Sequence, residues 1–384
     1  MKLRITHVET FTVGTKWRNL LFLQVHTDQG LVGVGEATLE WKERAVEALI
    51  HEFDKRYLRG ADPFQIESLW LRMYRDEFWR GGPVVTTAIS GIEIALWDIK
   101  GKALGVPAYQ LLGGPVRERV WAYANGWYVG ERTPEAFAAG ARGVIERGYT
   151  ALKFDPFGSA DREVPRQEKL RSIAIVEAVR DAVGPDVEIL IECHGRFSPA
   201  TAIEFARELE RFRPFWYEEP LPPENVDALA RVASQVRIPI ATGERIYTKY
   251  QWWEILRRGC VDIIQPDILH CGGILEAKKI AAMADACYLA AAPHNPVGPI
   301  GTAVAIQLAA CTPNHLIQES FDDFDTPWRK ELVRGALSVE GGTFQVPDRP
   351  GIGVELNLEA IREHPPVEGA FLPMWETDWE KRFF

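Results

Sequence analysis

The first part of the chain alternates apolar and polar residues and then changes to an apolar spacing of three and four residues. Three stretches alternate with a period of two, which is typical of strands with one buried face: residues 2–13, 20–27 and 31–37. Asp28-Gln29-Gly30 lies between the last two and predicts a tight antiparallel turn. Helical spacing follows at residues 42–54, 63–76 and 84–105. Strands followed by helices predict an α+β unit.

From Val120 onward, short apolar runs alternate with amphipathic segments. The runs end near Asn125, Lys153, Glu192, Glu218, Glu244, Gln265, Ala292 and Glu319. Eight strands at this rhythm, with helices between them, predict a TIM-type barrel whose active groups lie at the carboxyl ends of the strands. Only the interval from Lys153 to Glu192 is long, and its excess is the polar stretch 158–167, which we predict to be a loop over the pocket.

Two domains are expected in a chain of 384 residues. Leu112-Gly113-Gly114-Pro115 has the composition of a linker, and the barrel rhythm is lost after Ser320. We therefore predict an α+β domain at residues 1–116 and a barrel domain at 117–325. A C-terminal segment at 326–384 is expected to return to the first domain.

Composition and charge exclude several classes of protein. Hydrophobic residues make up 46% and charged residues 26% of the chain, as in ordinary globular proteins. The net charge of −10, with no basic cluster, argues against a nucleic-acid surface. No apolar run reaches the roughly 18 residues of a membrane helix, and the N-terminus lacks a signal-type apolar core. The five cysteines lack zinc-type spacing and indicate reduced thiols in a cytoplasmic protein.

Three glutamates end neighbouring barrel strands at equal intervals. Glu192 and Glu218 are 26 residues apart, and Glu244 follows after another 26. The carboxyl ends of barrel strands meet on one face, so the three acids are expected to converge there. Unpaired, they would repel one another, and a divalent cation would hold them together. The alternative is that each glutamate pairs with an arginine such as Arg196 or Arg245.

The strand ends together resemble the enolase superfamily, in its mandelate-racemase-like branch. The motifs that carry the resemblance are Glu192-x-His194, Glu218-Glu219-Pro220, Gly243-Glu244-Arg245, Gln265-Pro266-Asp267, Pro293-His294-Asn295 and Gln318-Glu319. Within the superfamily, the chain is most similar to the dehydratases of gluconate and galactonate. The resemblance implies a (β/α)7β barrel with an α+β N-terminal capping domain that the C-terminal tail completes.

A metal site follows from the resemblance. It implies one Mg²⁺ per subunit, held by Glu192, Glu218 and Glu244, and hard carboxylate oxygens suit this ion. Many relatives carry aspartate at the position of Glu192, and the longer side chain here retains the carboxylate. Glu219 is next to the second ligand and should point to the other side of its strand, so we place it outside the metal shell.

Proton-transfer residues are implied on either side of the substrate. His294 would be the general base, with Asp267 on its other ring nitrogen. His194 shares the strand face of Glu192 and would protonate the departing 3-hydroxyl, or alternatively would steady the metal site. Glu319 would either donate a hydrogen bond to the enediolate or position the His294 side of the site.

Further residues are expected to contact the substrate. Lys153 lies where the family places a lysine that contacts the substrate carboxylate. Racemases and cycloisomerases of the branch carry another lysine two positions later, where this chain has Asp155; that carboxylate would bind a sugar hydroxyl or cap the following loop. Trp17 and Arg18 lie between two early strands, where capping loops close over substrate. Arg245 is expected to contact the substrate as well.

We therefore predict an Mg²⁺-dependent hydro-lyase, a sugar-acid dehydratase. It would remove the C2 proton of D-gluconate or D-galactonate and eliminate the C3 hydroxyl to give a 2-keto-3-deoxy acid. The alternatives are a racemase, epimerase or cycloisomerase of the same branch, another aldonate such as arabinonate, or a metal-bound relative whose chemistry has lapsed. The expected partner is a small-molecule acid sugar, with no nucleic acid or membrane, and the protein is expected to form a homo-oligomer.

Overall fold

An antiparallel sheet covered by helices forms the N-terminal unit of this computed structural model, which describes residues 3–376. The strands are β1 (Ile5–Gly14), β2 (Asn19–Thr27) and β3 (Val32–Glu36). The helices are α1 (Glu43–Phe53), which continues as a π-helical turn at 54–58, then α2 (Ile66–Arg75), α3 (Pro83–Leu104) and α4 (Ala108–Leu111). The strands pair antiparallel in chain order, as the alternation and the turn at residues 28–30 predicted.

Eight parallel strands form the second unit. They are β4 (Arg119–Ala124), β5 (Ala151–Phe154), β6 (Glu188–Glu192), β7 (Trp216–Glu218), β8 (Ile240–Thr242), β9 (Ile263–Ile264), β10 (Ala290–Ala291) and β11 (Gln318–Ser320). The helices between them are α5 (Pro134–Glu146), α6 (Arg166–Val183), α7 (Pro199–Leu209), α8 (Val226–Ala233), α9 (Thr248–Leu256), α10 (Ile274–Asp285) and α11 (Pro299–Cys311). Each predicted strand end lies within two residues of an observed one.

The strands close into a ring. From β4 to β10 each strand pairs with the next in the chain, and β11 pairs in parallel with β4. On the remaining side, Ala291 of β10 forms a parallel bridge with His315, in the segment that leads into β11. The predicted (β/α)7β barrel is confirmed. Its closure determines which strand ends face one another across the barrel mouth.

Two buried carboxylates dock the N-terminal unit onto the barrel. Glu36, at the end of β3, accepts hydrogen bonds from the backbone N–H of Gly298 (2.7 Å) and Gly301 (3.0 Å) at the start of α11. Glu93 of α3 accepts in the same way from Ile274 (2.8 Å) and Leu275 (3.0 Å) at the start of α10. Helix N-termini favour negative charge, so these contacts attach the N-terminal unit to the barrel.

The C-terminal segment contacts both units. Its elements are β12 (Val333–Arg334), β13 (Val339–Glu340), β14 (Thr343–Gln345), β15 (Glu355–Leu356) and α12 (Leu358–Glu363). β14 pairs antiparallel with the beginning of β4, whereas the chain after α12 reaches β1, where the Gly14 N–H donates to the His364 carbonyl at 3.2 Å. The predicted return to the first domain is thus accompanied by an extension of the barrel sheet. The domain limits themselves stay a prediction.

Among residues 3–376, each helix is too short or too polar to cross a bilayer.

Candidate active site

Three glutamates lie at the carboxyl ends of the third, fourth and fifth barrel strands. Glu192 ends β6 opposite Glu218, which ends β7, and Glu244 lies two residues after β8. One carboxylate oxygen from each residue lies within 4.8 Å of those of the other two. This arrangement supplies three hard oxygen donors to a single point, which is the donor chemistry that Mg²⁺ prefers. These residues therefore fit a divalent cation.

Lys153 of β5 contacts the same carboxylates. Its Nζ lies 2.7 Å from Glu218 Oε1, 3.1 Å from Glu319 Oε1 and 3.4 Å from Glu192 Oε2. Burial lowers the pKa of Lys153, but the surrounding carboxylates raise it well above its usual value. The ammonium group therefore stays charged and offsets part of the negative charge of the cluster.

The three glutamates of the cluster differ in the pKa of their carboxyl groups. Burial and the neighbouring Glu218 raise the pKa of Glu192 well above its usual value. Burial also opposes ionisation of Glu218, but Lys153 and hydrogen bonds lower its pKa to about 2. Burial raises the pKa of Glu244 to about 7, against the attraction of His294. One lysine cannot neutralise three buried acids, so a further positive charge would stabilise the cluster.

His294 follows the seventh barrel strand and has a carboxylate beside each ring nitrogen. Nδ1 lies 2.8 Å from Asp267 Oδ2, and Nε2 lies 3.1 Å from Glu244 Oε2. Burial lowers the pKa of His294, but Glu244, Asp267 and Glu319 raise it to about 10. The Asp267 contact determines which ring nitrogen faces the cavity. A cation bound by the glutamates would offset part of the charge that acts on this ring.

His194 approaches the cavity from the opposite wall. It follows the third of the eight strands and His294 follows the seventh, so the two strand ends face one another across the barrel. His194 Nδ1 lies 2.7 Å from Asp155 Oδ2. Both histidines line the same cavity as Lys153, Glu192 and Glu244. A molecule in this cavity would therefore have one imidazole on each side.

Three parts of the chain line the cavity. The barrel contributes Asn125, Tyr128, Lys153, Glu192, His194, Glu244, His294, Pro296 and Phe321. The capping loops contribute Trp17, Glu40 and Trp41, and the C-terminal segment contributes Met374. Phe371 packs edge-on against Trp41 with 5.0 Å between ring centroids. The capping loops and the C-terminal segment thus form one continuous wall over the barrel mouth.

Arg18 and Arg245 lie outside the described lining of the cavity, although we expected both to contact substrate. Arg18 is fully buried, and its guanidinium donates to the Glu40 carboxylate and the Pro296 carbonyl. Arg245 donates to Glu219, with 3.0 Å between Nε and Oε2. Neither arginine is among the described residues that line the cavity. The position of each arginine in the sequence indicated the correct loop. The direction of each side chain depends on the carboxylate and carbonyl groups to which it donates.

Asp155 also lies outside the cavity lining. Its Oδ1 accepts a hydrogen bond from the Phe157 N–H at 2.8 Å, which is the loop cap that we considered for this residue. Its Oδ2 accepts from His194 and Arg196, and the side chain is almost completely buried. The carboxylate therefore faces other protein groups, and sugar binding by Asp155 has no support in its position.

Glu219 and Glu319 differ in their surroundings. Glu219 accepts hydrogen bonds from Thr242 and Arg245 and is not one of the three glutamates whose oxygens lie close enough together to hold a metal ion. Glu319 accepts hydrogen bonds from Asn125 Nδ2 (2.7 Å) and the Asn295 N–H (2.6 Å), and it faces Lys153. With donors on both oxygens, Glu319 is arranged as an acceptor.

Some residues of the site were not predicted. Glu40 and Tyr128 line the cavity although the sequence assigned neither of them a role, and Met374, 80 residues after His294, also lines it. Arg196 was considered only as a partner for a glutamate, whereas it bonds Asp155. The polar residue that ends a buried strand was the one usable signal, and these four residues lie in loops or in the tail.

Comparison with known families agrees with this architecture. Residues 3–113 match the model of the mandelate racemase / muconate lactonizing enzyme N-terminal domain, and residues 136–361 match that of the enolase C-terminal domain-like family. The protein belongs to the enolase superfamily, in the mandelate racemase / muconate lactonizing enzyme group.

Curated relatives and solved structures narrow the class. The chain is 40% identical over 357 residues to D-gluconate dehydratase of Thermoproteus tenax, which covers 93% of this chain and 71% of that protein. It is 39% identical to D-galactonate dehydratase of Pectobacterium atrosepticum, with 94% of each covered. The mandelate racemase/muconate lactonizing enzyme structure from Sulfitobacter sp. superposes with a TM-score of 0.91 at 36% identity, covering 97% of this chain and 98% of that one. With dehydratases matching over most of its length, the protein is a carbon–oxygen lyase.

Proposed function

We propose that this protein is an Mg²⁺-dependent dehydratase that converts D-gluconate or D-galactonate to a 2-keto-3-deoxy acid. The observation that carries the proposal is the pair of histidines, His194 and His294, on opposite walls of one cavity beside the glutamate cluster. The names of the relatives, which act on D-gluconate and D-galactonate, support the substrate class.

Two positive charges in the cavity are available to bind the carboxylate of the substrate. When bound by Glu192, Glu218 and Glu244, Mg²⁺ supplies positive charge that offsets the developing charge of the enediolate. Lys153 holds a second positive charge in the same cavity and orients the carboxylate. Trp17 and the neighbouring capping loop cover the site and exclude water, which strengthens these interactions.

His294 removes the C2 proton. Asp267 holds its Nδ1, which leaves Nε2 on the side of Glu244 and the cavity. A ring fixed in this way takes the proton without reorientation, and the carboxylate stabilises the imidazolium that forms. The surroundings of Glu319 favour its positioning role over hydrogen-bond donation, because its oxygens accept from Asn125 and Asn295.

His194 completes the elimination from the other wall. Its ring donates a proton to the C3 oxygen, the C3–O bond breaks, and water leaves. The resulting enol tautomerises to the 2-keto-3-deoxy acid. A racemase would instead need a second base on this wall. Related racemases carry a lysine at the position of Asp155, but here the aspartate is buried against His194. This difference argues against racemisation.

We further propose a cytoplasmic location and one Mg²⁺ in each subunit of a homo-oligomer. The location is supported by the five cysteines, all of which are free thiols, and four of which are buried. The assembly is supported only by the general tendency of soluble enzymes to form symmetric oligomers.

Incubation with a panel of five- and six-carbon aldonates is expected to identify the substrate. With Mg²⁺ present, D-gluconate or D-galactonate should give a 2-keto-3-deoxy acid with kcat/KM of about 10⁴ M⁻¹s⁻¹ or more. Product is measured colorimetrically, and the same reactions in D₂O are followed by NMR. Exchange of the C2 hydrogen without loss of water would favour the racemase, and absence of product from every aldonate would contradict the proposal.

A further inference from the structure

Asp155 connects the second barrel strand to the histidine that follows the third. It lies directly after β5 and is almost completely buried. One of its oxygens, Oδ1, caps the loop by accepting from the Phe157 N–H. The other, Oδ2, accepts from His194 Nδ1 at 2.7 Å. The loop cap fixes the direction of the carboxylate, and the carboxylate then fixes the imidazole.

Arg196 holds the same oxygen of Asp155 in place. Its guanidinium donates to Asp155 Oδ2 and to the Gly158 carbonyl, and its Nε donates to the Cys193 carbonyl at 2.8 Å. Arg196 is buried, so it compensates the charge of Asp155 where water is excluded. A carboxylate held by its own strand end, a loop N–H and a buried arginine cannot turn away from the ring.

The backbone of His194 requires such support. His194 has φ of 51°, in the left-handed region that side chains other than glycine rarely adopt. Its N–H donates to Glu192 Oε1 at 2.6 Å, and its ring donates to Asp155. A residue in this conformation persists where the surroundings hold it, and such residues concentrate at functional sites.

The ring nitrogens of His194 are thereby distinguished. A carboxylate at Nδ1 accepts the Nδ1 proton and stays there as its acceptor, so Nε2 is the nitrogen that exchanges protons with a molecule in the cavity. His194 lines the cavity, whereas Asp155 does not. The contact therefore selects both the orientation of the ring and the atom that faces the substrate.

We infer that Asp155 is a positioning residue that presents His194 Nε2 to the leaving group, and that it serves the elimination half of the reaction only. The inference rests on the proposed dehydratase function. In that step the proton moves from Nε2 to the C3 oxygen, the C3–O bond breaks with its electron pair on oxygen, and the C2–C3 double bond forms. Proton removal at C2 belongs to His294 on the other wall and does not involve Asp155.

The test uses Asp155→Asn with two substrates that differ only in their leaving group. Asparagine keeps an oxygen for the Phe157 N–H but presents no carboxylate to His194. With the aldonate, kcat is expected to fall by about 10²–10³-fold, within the range for general acid catalysis, while KM changes by less than about threefold. With the 3-deoxy-3-fluoro analogue, fluoride leaves without protonation, so kcat for fluoride release should fall by less than about tenfold.

Deuterium exchange separates the two halves of the reaction. Asp155→Asn should still exchange the C2 hydrogen of the aldonate in D₂O, because His294 is unchanged. The matched control is Asp161→Asn, an exposed aspartate in the loop that follows the same strand, which should retain wild-type kcat with both substrates. Asp155→Asn leaves the charge of Arg196 uncompensated and could prevent folding. In that case the double variant Asp155→Asn/Arg196→Gln, which removes both charges, is tested in place of the single variant.

The outcomes distinguish this inference from the proposed function. Wild-type protein that dehydrates an aldonate, together with a variant that eliminates water at the wild-type rate, would overturn the role of Asp155 alone. An equal loss with both leaving groups would also overturn it, because the defect would then lie in the whole site. Wild-type protein that dehydrates no aldonate would overturn the proposed function and this inference together.

Discussion

Replacement of His294 by asparagine is expected to lower kcat/KM for the aldonate by about 10⁴-fold and to abolish exchange of the C2 hydrogen in D₂O. The reason is that His294 is the imidazole held by Asp267 at 2.8 Å and directed to the cavity beside Glu244. Loss of a positioned general base costs typically 10²–10⁴-fold, and here no other histidine is on that wall among the cavity-lining residues described. Steady-state assays and NMR exchange measure the two effects.

His194→Gln is the matched comparison, because it removes the imidazole from the opposite wall. Its dehydration rate should also fall by at least about 10²-fold, but C2 exchange should continue. The two variants thus differ in exchange although both lose product formation. If His294→Asn retained exchange and His194→Gln lost it, the assignments of base and acid would be reversed.

Glu218→Gln is expected to weaken Mg²⁺ binding by at least about 100-fold and to reduce turnover to the background rate. Glu218 is the central member of the glutamate cluster, and its two oxygens lie 2.7 Å from Lys153 Nζ and from Trp216 Nε1. Glutamine removes one negative charge and one hard oxygen donor. Titration calorimetry with Mg²⁺ measures the affinity, and chelation of wild-type protein followed by return of Mg²⁺ should abolish and restore activity.

Glu219→Gln provides a demanding control for this experiment. Glu219 is the next residue in the chain and equally buried, but its carboxylate bonds Thr242 and Arg245. Mg²⁺ affinity should therefore remain within about tenfold of wild type. An equal loss in both variants would indicate a general effect of buried charge, and the three-glutamate assignment would be wrong.

The barrel and the glutamate cluster follow from information that is local in the sequence. An apolar run that ends in a polar residue defines a barrel strand, and the repeat of such runs places each end on the same face. Glu192, Glu218 and Glu244 come together for this reason, because equal intervals on neighbouring strands bring their ends together. The pairing of His294 with Asp267 across adjacent strand ends follows from the same geometry.

The directions of long side chains in loops do not follow from periodicity. Arg18 lies in the expected capping loop, yet its guanidinium turns inward to the Pro296 carbonyl, 278 residues later. Asp155 was placed correctly after its strand, but its contact with His194 depends on the left-handed turn of the chain at residue 194. Such contacts are chosen by burial and by partners distant in the sequence.

By itself, the sequence predicted the eight-strand barrel and the carboxylates at its mouth, because strand length and spacing are local properties, and the motifs at the strand ends carried the resemblance to the superfamily. Only the tertiary structure decided that Arg245 and Asp155 serve other protein groups and that Met374 of the C-terminal segment joins the cavity wall. The physical reason is that a buried charge takes the orientation in which its partners compensate it, and those partners become neighbours only when the chain has folded.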